Sequence, residues 1–237
     1  MQTGAFARAV QLAQDLARQI AHALGETAPY ARMLHFLAEL RHREGAFEES
    51  ERLFEQALAL FRRCYGEEHL EEADTLRGLA WLHQSRNNPP AAETRLHKAG
   101  EIRRAVLGDR HPGYGESLKD LGDMHRQLQK FSAAHFYYKE ALNILRVNPG
   151  EDQPDYAVAL HGLALVLHVV GELDEAESFL QQALEILQPG IEKGDPRGLE
   201  VRRNLALVHA SRPDFLRAEA LLKECHTTIE MSAFSPQ

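Results

Sequence analysis

The chain has 237 residues, 35 acidic side chains against 27 basic and a formal charge of −8, a balance that argues against sequence-independent nucleic-acid binding. Its 44% hydrophobic and 26% charged content is that of a globular chain, long enough for one or two domains. Two distant cysteines, Cys64 and Cys225, make neither a CxxC pair nor a disulfide framework, so a reducing, cytoplasmic setting is expected.

From the N-terminus, Phe6, Val10, Ala13, Leu16, Ala17 and Ile20 share one side of a predicted leading helix over Ala5–Leu24. Arg8, Asp15 and Arg18 interrupt it, so it has no signal-peptide apolar core. Beyond it the sequence repeats. Steps of 42 from Leu37 meet Leu79, Leu121, Leu163 and Leu205, and one residue later Ala38, Ala80, Gly122, Ala164 and Ala206. A bulky series runs through Phe54, Leu96, Tyr138, Leu180 and Leu222, and a small one through Ser50, Ala92, Ala134, Ala176 and Ala218. These ladders predict five units over 28–230 (about 28–69, 70–111, 112–153, 154–195 and 196–230), after a leading segment 1–25 and before a tail 231–237.

Each unit reads as two helices. Leu160, Leu163, Ala164 and Leu167 follow the i, i+3, i+4, i+7 spacing of one helix face, and Leu173 to Leu187 repeat it after Gly171. Gly45, Asn87, Gly171 and Pro213 mark the turn inside units. Gly66, Gly108 and Gly150, then Pro112, Pro154 and Pro196, mark the loops between units. The apolar run Val158–Val170 contains His161 and His168 and is shorter than the ~18–20 residues of a membrane span, so no membrane insertion is expected. The small ladders serve helix crossings at ~8–10 Å, where a large side chain would hold two helices apart.

The ladders, with segments such as RRAVLGDRHPGYGESLKDLG (Arg103 to Gly122) and the loop Gly108-Asp-Arg-His-Pro112, resemble tetratricopeptide repeats of the 42-residue kinesin light chain type. The resemblance implies an all-α, right-handed superhelical solenoid of antiparallel helix pairs, with the exposed faces of the first helices lining a concave groove. It also implies a non-catalytic scaffold or adaptor that binds a peptide segment of a partner protein in that groove. The alternative is a regulatory or sensor domain of a longer protein or complex, partnered with an effector or protease-like domain. Arg202 interrupts the apolar ladder that begins at Leu34. Of the inner-face asparagines that the light chains use to hold peptide backbone, Asn204 is the one present.

The groove candidates follow from the face that packing leaves unused. One series reads His35, Arg77, Lys119, His161 and Arg203, basic or potentially basic at every rung. Beside it stand Trp81, Arg126, Asn204, Leu165 and Leu207. Asp74, Glu116, Asp120, Asp123 and Glu200 offset the bases, which leaves the groove roughly neutral. An acidic peptide with a hydrophobic anchor near Leu165 and Leu207 is the expected ligand, and Met231 to Pro236 is the alternative cover for that apolar strip. His35 and His42, like His161 and His168, lie two turns or ~10 Å apart, too far to share a metal ion. His83, His125 and His209 read as half-buried packing residues, and His69 and His111 as loop caps. No catalytic residue, metal or cofactor is expected.

Overall fold

The structure, a computed structural model, describes the backbone of residues 2–191 and 195–234 and the side chains of 6–191 and 195–230. Those residues form eleven α-helices and no strand: α1 (Gln2–Leu24), α2 (Ala28–Glu44), α3 (Phe47–Tyr65), α4 (Leu70–Ser85), α5 (Pro89–Leu107), α6 (Pro112–Gln127), α7 (Phe131–Leu145), α8 (Pro154–Val170), α9 (Leu173–Ile191), α10 (Pro196–Ser211) and α11 (Phe215–Phe234). A single wide turn, Arg146–Gly150, follows α7. The first helices α2, α4, α6, α8 and α10 begin at 28, 70, 112, 154 and 196, and each is followed by the second helix that packs on it.

Local chemistry fixes these boundaries. Pro112, Pro154 and Pro196 open their helices, where a missing N–H costs nothing. One residue earlier, His69, His111 and Asp195 act as N-caps. Their side chains accept from the backbone N–H of Glu71 (3.4 Å), Gly113 (3.1 Å) and Arg197 (2.9 Å). The recurring loop histidines are therefore caps. Between paired helices the chain turns through a left-handed residue: Gly171 has φ 91°, and Asn87 takes the same offset at φ 56°.

The chain divides into two compact units, residues 1–109 and 110–237. In the first, Ala38, Phe54, Leu76, Leu79 and Ile102 share one cluster, while Val10 and Ala13 of α1 pack with Leu37 and Leu40 of α2. Leu16, expected on the packed side of α1, is 45% exposed, because α1 meets α2 through Val10 and Ala13 and leaves the leucine turned away. In the second unit one cluster runs from Ala134 to Val208.

The bulky ladder explains the spacing of the layers. Tyr138 of α7 is fully buried, and its ring lies against Gly122 of α6 and Gly162 of α8. A Cβ at Gly162 would stand 2.4 Å from that ring, and one at Gly78 2.6 Å from the ring of Phe54. Both glycines follow their aromatic by the same offset of 24 residues.

Charges within the stack are paired. Arg62 donates to the buried Glu72 (2.6 Å), whose other oxygen accepts from the Glu68 N–H (2.9 Å). Buried Arg103 meets Asp74 (2.5 Å). Arg202, which interrupts an apolar ladder, is buried at the α10–α11 contact with Glu224 (3.4 Å) and Thr228 (3.3 Å). At the C-terminal ends of α4 and α10 one clamp recurs. Arg86 binds Glu51 (2.5 Å) and Glu48 (3.6 Å) of α3, and Arg212 binds Glu177 (2.9 Å) and Asp174 (2.6 Å) of α9. Of the histidine ladder, His83 is half-buried. His125 and His209 are buried further, the former stacked on Tyr137 and the latter between Glu177 and Asp214.

Replacing Gly162 by alanine should force the Tyr138 ring to shift and cost ~1–3 kcal/mol. Urea unfolding of G162A, Y138L and the double variant checks this. The double variant should lose less than the sum of the singles, and strict additivity would contradict the packing assignment.

Candidate functional site

In the first unit the exposed face of α2 and α4 is joined by two side-chain bridges. His35 Nδ1 lies 3.1 Å from Thr75 Oγ1, and His42 Nε2 lies 2.8 Å from Ser85 Oγ. The single hydrogen of Ser85 goes to the Trp81 carbonyl (3.0 Å), so His42 donates through Nε2. Between the bridges the Arg77 guanidinium sits 4.8 Å over the ring of Trp81, a cation–π contact. Glu39, hydrogen-bonded by His35 and close to Arg43 and Arg77, is held below the ordinary carboxylate range. Toward the N-terminal end of α4 an open cleft of about 430 Å³ is lined by Arg32, His35, Phe61, Leu70, Glu71 and Asp74.

The second unit repeats the bridges with its own chemistry. Asn204 Nδ2 of α10 donates to His161 Nε2 of α8 (2.7 Å), and His168 Nε2 donates to Ser211 Oγ (2.9 Å), whose hydrogen goes to the Leu207 carbonyl (3.0 Å). These two links bracket Leu165, which is half-buried, and Leu207, which is 50% exposed. Val169 extends the exposed apolar strip. The side chains of Met231 to Pro236, named as its alternative cover, lie outside the described residues.

On α6, Lys119 is bound to Asp120 (2.8 Å) and Asp123 (3.4 Å). Burial alone would lower its pKa, but the two carboxylates outweigh burial and raise it. Asp123 also accepts from the Tyr138 hydroxyl (2.6 Å), and Arg126 Nε donates to the same phenol oxygen (3.3 Å). Burial, then Asp123, pushes the Tyr138 pKa up, so the phenol stays protonated. Tyr138 thus stands on a second helix yet delivers a hydroxyl to the face of the first helices, past Gly162. Sequence reasoning missed this residue. The signal was present as a glycine 24 positions after an aromatic.

The ten candidates therefore differ in standing. The structure brings together Arg77 with Trp81, His161 with Asn204, and Lys119 with Arg126 through Asp123. His35 faces Thr75. Arg203 is exposed and makes no hydrogen bond or ion pair among the described residues. Asn204 is itself buried, so its amide is a bridge before it is a contact surface. Ser85 and Ser211 were not singled out from sequence, although each follows a bridging histidine by 43 residues.

Tandem helix pairs that bury one side of each first helix and leave its other side open define a helical-repeat protein. The chain belongs to the tetratricopeptide repeat family, whose model matches residues 29–99, 90–146 and 149–230. Similar solved structures include BtubC (BKLC) from P. vanneervenii, at 24% identity and TM-score 0.78 over 99% of this chain and 92% of that one. Another is a Podosopora anserina protein assigned as a kinesin light chain and built of nearly identical TPR-like repeats, at 21% identity and TM-score 0.68 over 86% and 97%. MamA aligns at 18% identity and TM-score 0.55 over 84% and 98%. The fold class is thus the all-α, TPR-like solenoid. No curated protein sequence matches the chain. Among the described residues no helix is long and apolar enough to cross a membrane.

Burial lowers the pKa of His161 from its ordinary 6.5, with Arg126 and Arg203 acting in the same sense and Glu200 and Asp123 against it. The folded state then binds fewer protons at this site than the unfolded chain, so stability should fall as pH drops from about 7 towards 5. Burial shifts His42, His83 and His135 the same way. Urea midpoints at the two pH values should fall more for the wild type than for His161→Gln. An equal fall in both proteins would remove His161 from the effect.

Proposed function

We propose that the chain is a non-catalytic, cytoplasmic scaffold of five tandem repeats over 28–230, flanked by a leading helix at 1–25 and a tail at 231–237. It binds a peptide segment of a partner protein on the exposed faces of its first helices. The observation that carries this reading is the α8–α10 surface. There Leu207 is half exposed beside Leu165 and Val169, and Arg203 adds a cation without a described partner. The ligand this surface suits is an acidic segment carrying one apolar anchor. Successive first helices stand ~10 Å apart and an extended peptide advances ~3.3 Å per residue, so acidic residues three apart meet successive rungs. Arg203 is the cation best placed to attract such a ligand, since Lys119 already serves Asp120 and Asp123. Arg77 on Trp81 offers a further contact in the first unit. Two free cysteines suit a reducing compartment.

Anisotropy titration of an acidic peptide with and without a leucine anchor tests the proposal. Micromolar affinity that falls with salt is expected, since an exposed ion pair contributes ~0.2–1 kcal/mol. Arg203→Glu should weaken binding about two- to fivefold. Leu207→Asp should weaken it about tenfold or more, because the anchor loses its apolar contact. Equal affinity across wild type and both variants, or indifference to the anchor, would remove this surface from the function.

A further inference from the structure

Each second helix bears a stripe spaced i, i+4, i+7, i+11, whose bulky i+4 residue reaches the following first helix, as Phe54 meets Gly78 and Tyr138 meets Gly162. In α9 the stripe is Ala176, Leu180, Ala183 and Leu187, none more than 2% exposed, in one apolar cluster with Val201, Leu205 and Val208 of α10. Forty-two residues on, α11 repeats it as Ala218, Leu222, Cys225 and Ile229. There Ala218 is buried and Cys225 lies against the Leu199 carbonyl of α10, but Leu222 is 49% exposed and Ile229 54%. The side-chain pattern is kept, but among the described residues no following helix covers Leu222 and Ile229.

The charge pattern is kept as well. Glu51 and Glu177 each hold the arginine at the C-terminal end of the following first helix, Arg86 and Arg212. Glu219 stands at the same offset in α11, on the exposed surface, where its ion pair among the described residues is with Lys223 of its own helix (2.6 Å). The α9–α10 interface is therefore a template for what α11 would accept.

We propose that this face of α11 docks one amphipathic helix of a partner protein, with apolar residues at i, i+4 and i+7 and an arginine at its C-terminal end. Leu222 and Ile229 receive the first three and Glu219 receives the last. A second copy of this chain fits less well. Its own helices of this pattern are engaged, with Leu205 and Val208 buried. Its α1 exposes Leu12 and Leu16 but has Gln19 at i+7 and only His22 as a basic residue in its last turn.

The probe is a fluorescent peptide copying residues 195–212, titrated into the full 237-residue chain. Saturable binding is expected. Leu222→Asp should weaken it about tenfold or more, a tolerated substitution at a half-exposed site that thermal unfolding can verify. Glu219→Arg should weaken it about two- to fivefold, and a peptide carrying Arg212→Glu should restore affinity for that variant. Absence of saturable binding overturns the proposal. So does binding indifferent to both substitutions, which would mean that the peptide exchanges with the resident α10. Sedimentation equilibrium without peptide supplies the remaining outcome: self-association abolished by Leu222→Asp would give the face to a second copy and overturn the partner helix.

Discussion

The distance between neighbouring first helices is set by the side chain that the intervening second helix inserts between them. Phe54 and Tyr138 fill that space with rings, and the facing residues, Gly78 and Gly162, have no Cβ to give. At the same offset Leu180 is followed by Asn204, a smaller insert with a larger partner. Interiors packed to crystal-like density tolerate neither a void nor an overlap at such a point. One volume is thus shared between two positions 24 residues apart, a trade seen at Phe54 with Gly78 and at Tyr138 with Gly162.

The same constraint decides which chemistry reaches the exposed face. Where the insert is tyrosine and the partner glycine, the hydroxyl passes through the layer and joins Asp123, Arg126 and, through Asp123, Lys119. Where the insert is leucine, the partner has room to be polar, and Asn204 uses its amide to tie α10 to His161 of α8. A buried amide or phenol without a partner would be costly, so both positions come with one. The polar content of the binding face is, in this sense, a by-product of how the layer beneath it is filled.

Periodicity made the fold legible. The ladders from Leu37, Ala38, Ser50 and Phe54 announced the helix pairs that the structure contains, because a period repeated over most of the chain averages out local ambiguity. The candidate surface was legible in position but not in state. His35, Arg77, Lys119, His161 and Arg203 share a register, yet Lys119 is enclosed by two carboxylates, His161 is an acceptor for an amide, and Arg203 is open. Pairing depends on neighbours one helix away, which a ladder through a single position does not contain. Leu16 shows the other limit. A face deduced from spacing alone assumed a full neighbour on α1, and Val10 and Ala13 made the contact without it.

Two kinds of link hold successive pairs in register, and they respond differently to solvent. The bridges on the exposed face, His42 to Ser85, His161 to Asn204 and His168 to Ser211, are hydrogen bonds available to neutral imidazoles. The clamps of Arg86 and Arg212 are ionic, partly exposed and therefore worth no more than ~1 kcal/mol each. Salt screens the second kind and barely touches the first. A ligand held by Arg203 and Arg77 would feel ionic strength directly, while the surface that receives it keeps its geometry through bonds that carry no net charge. Affinity and architecture are in this way tuned by separate residues, and the charge on the binding face can change from one rung to the next without disturbing the stack beneath.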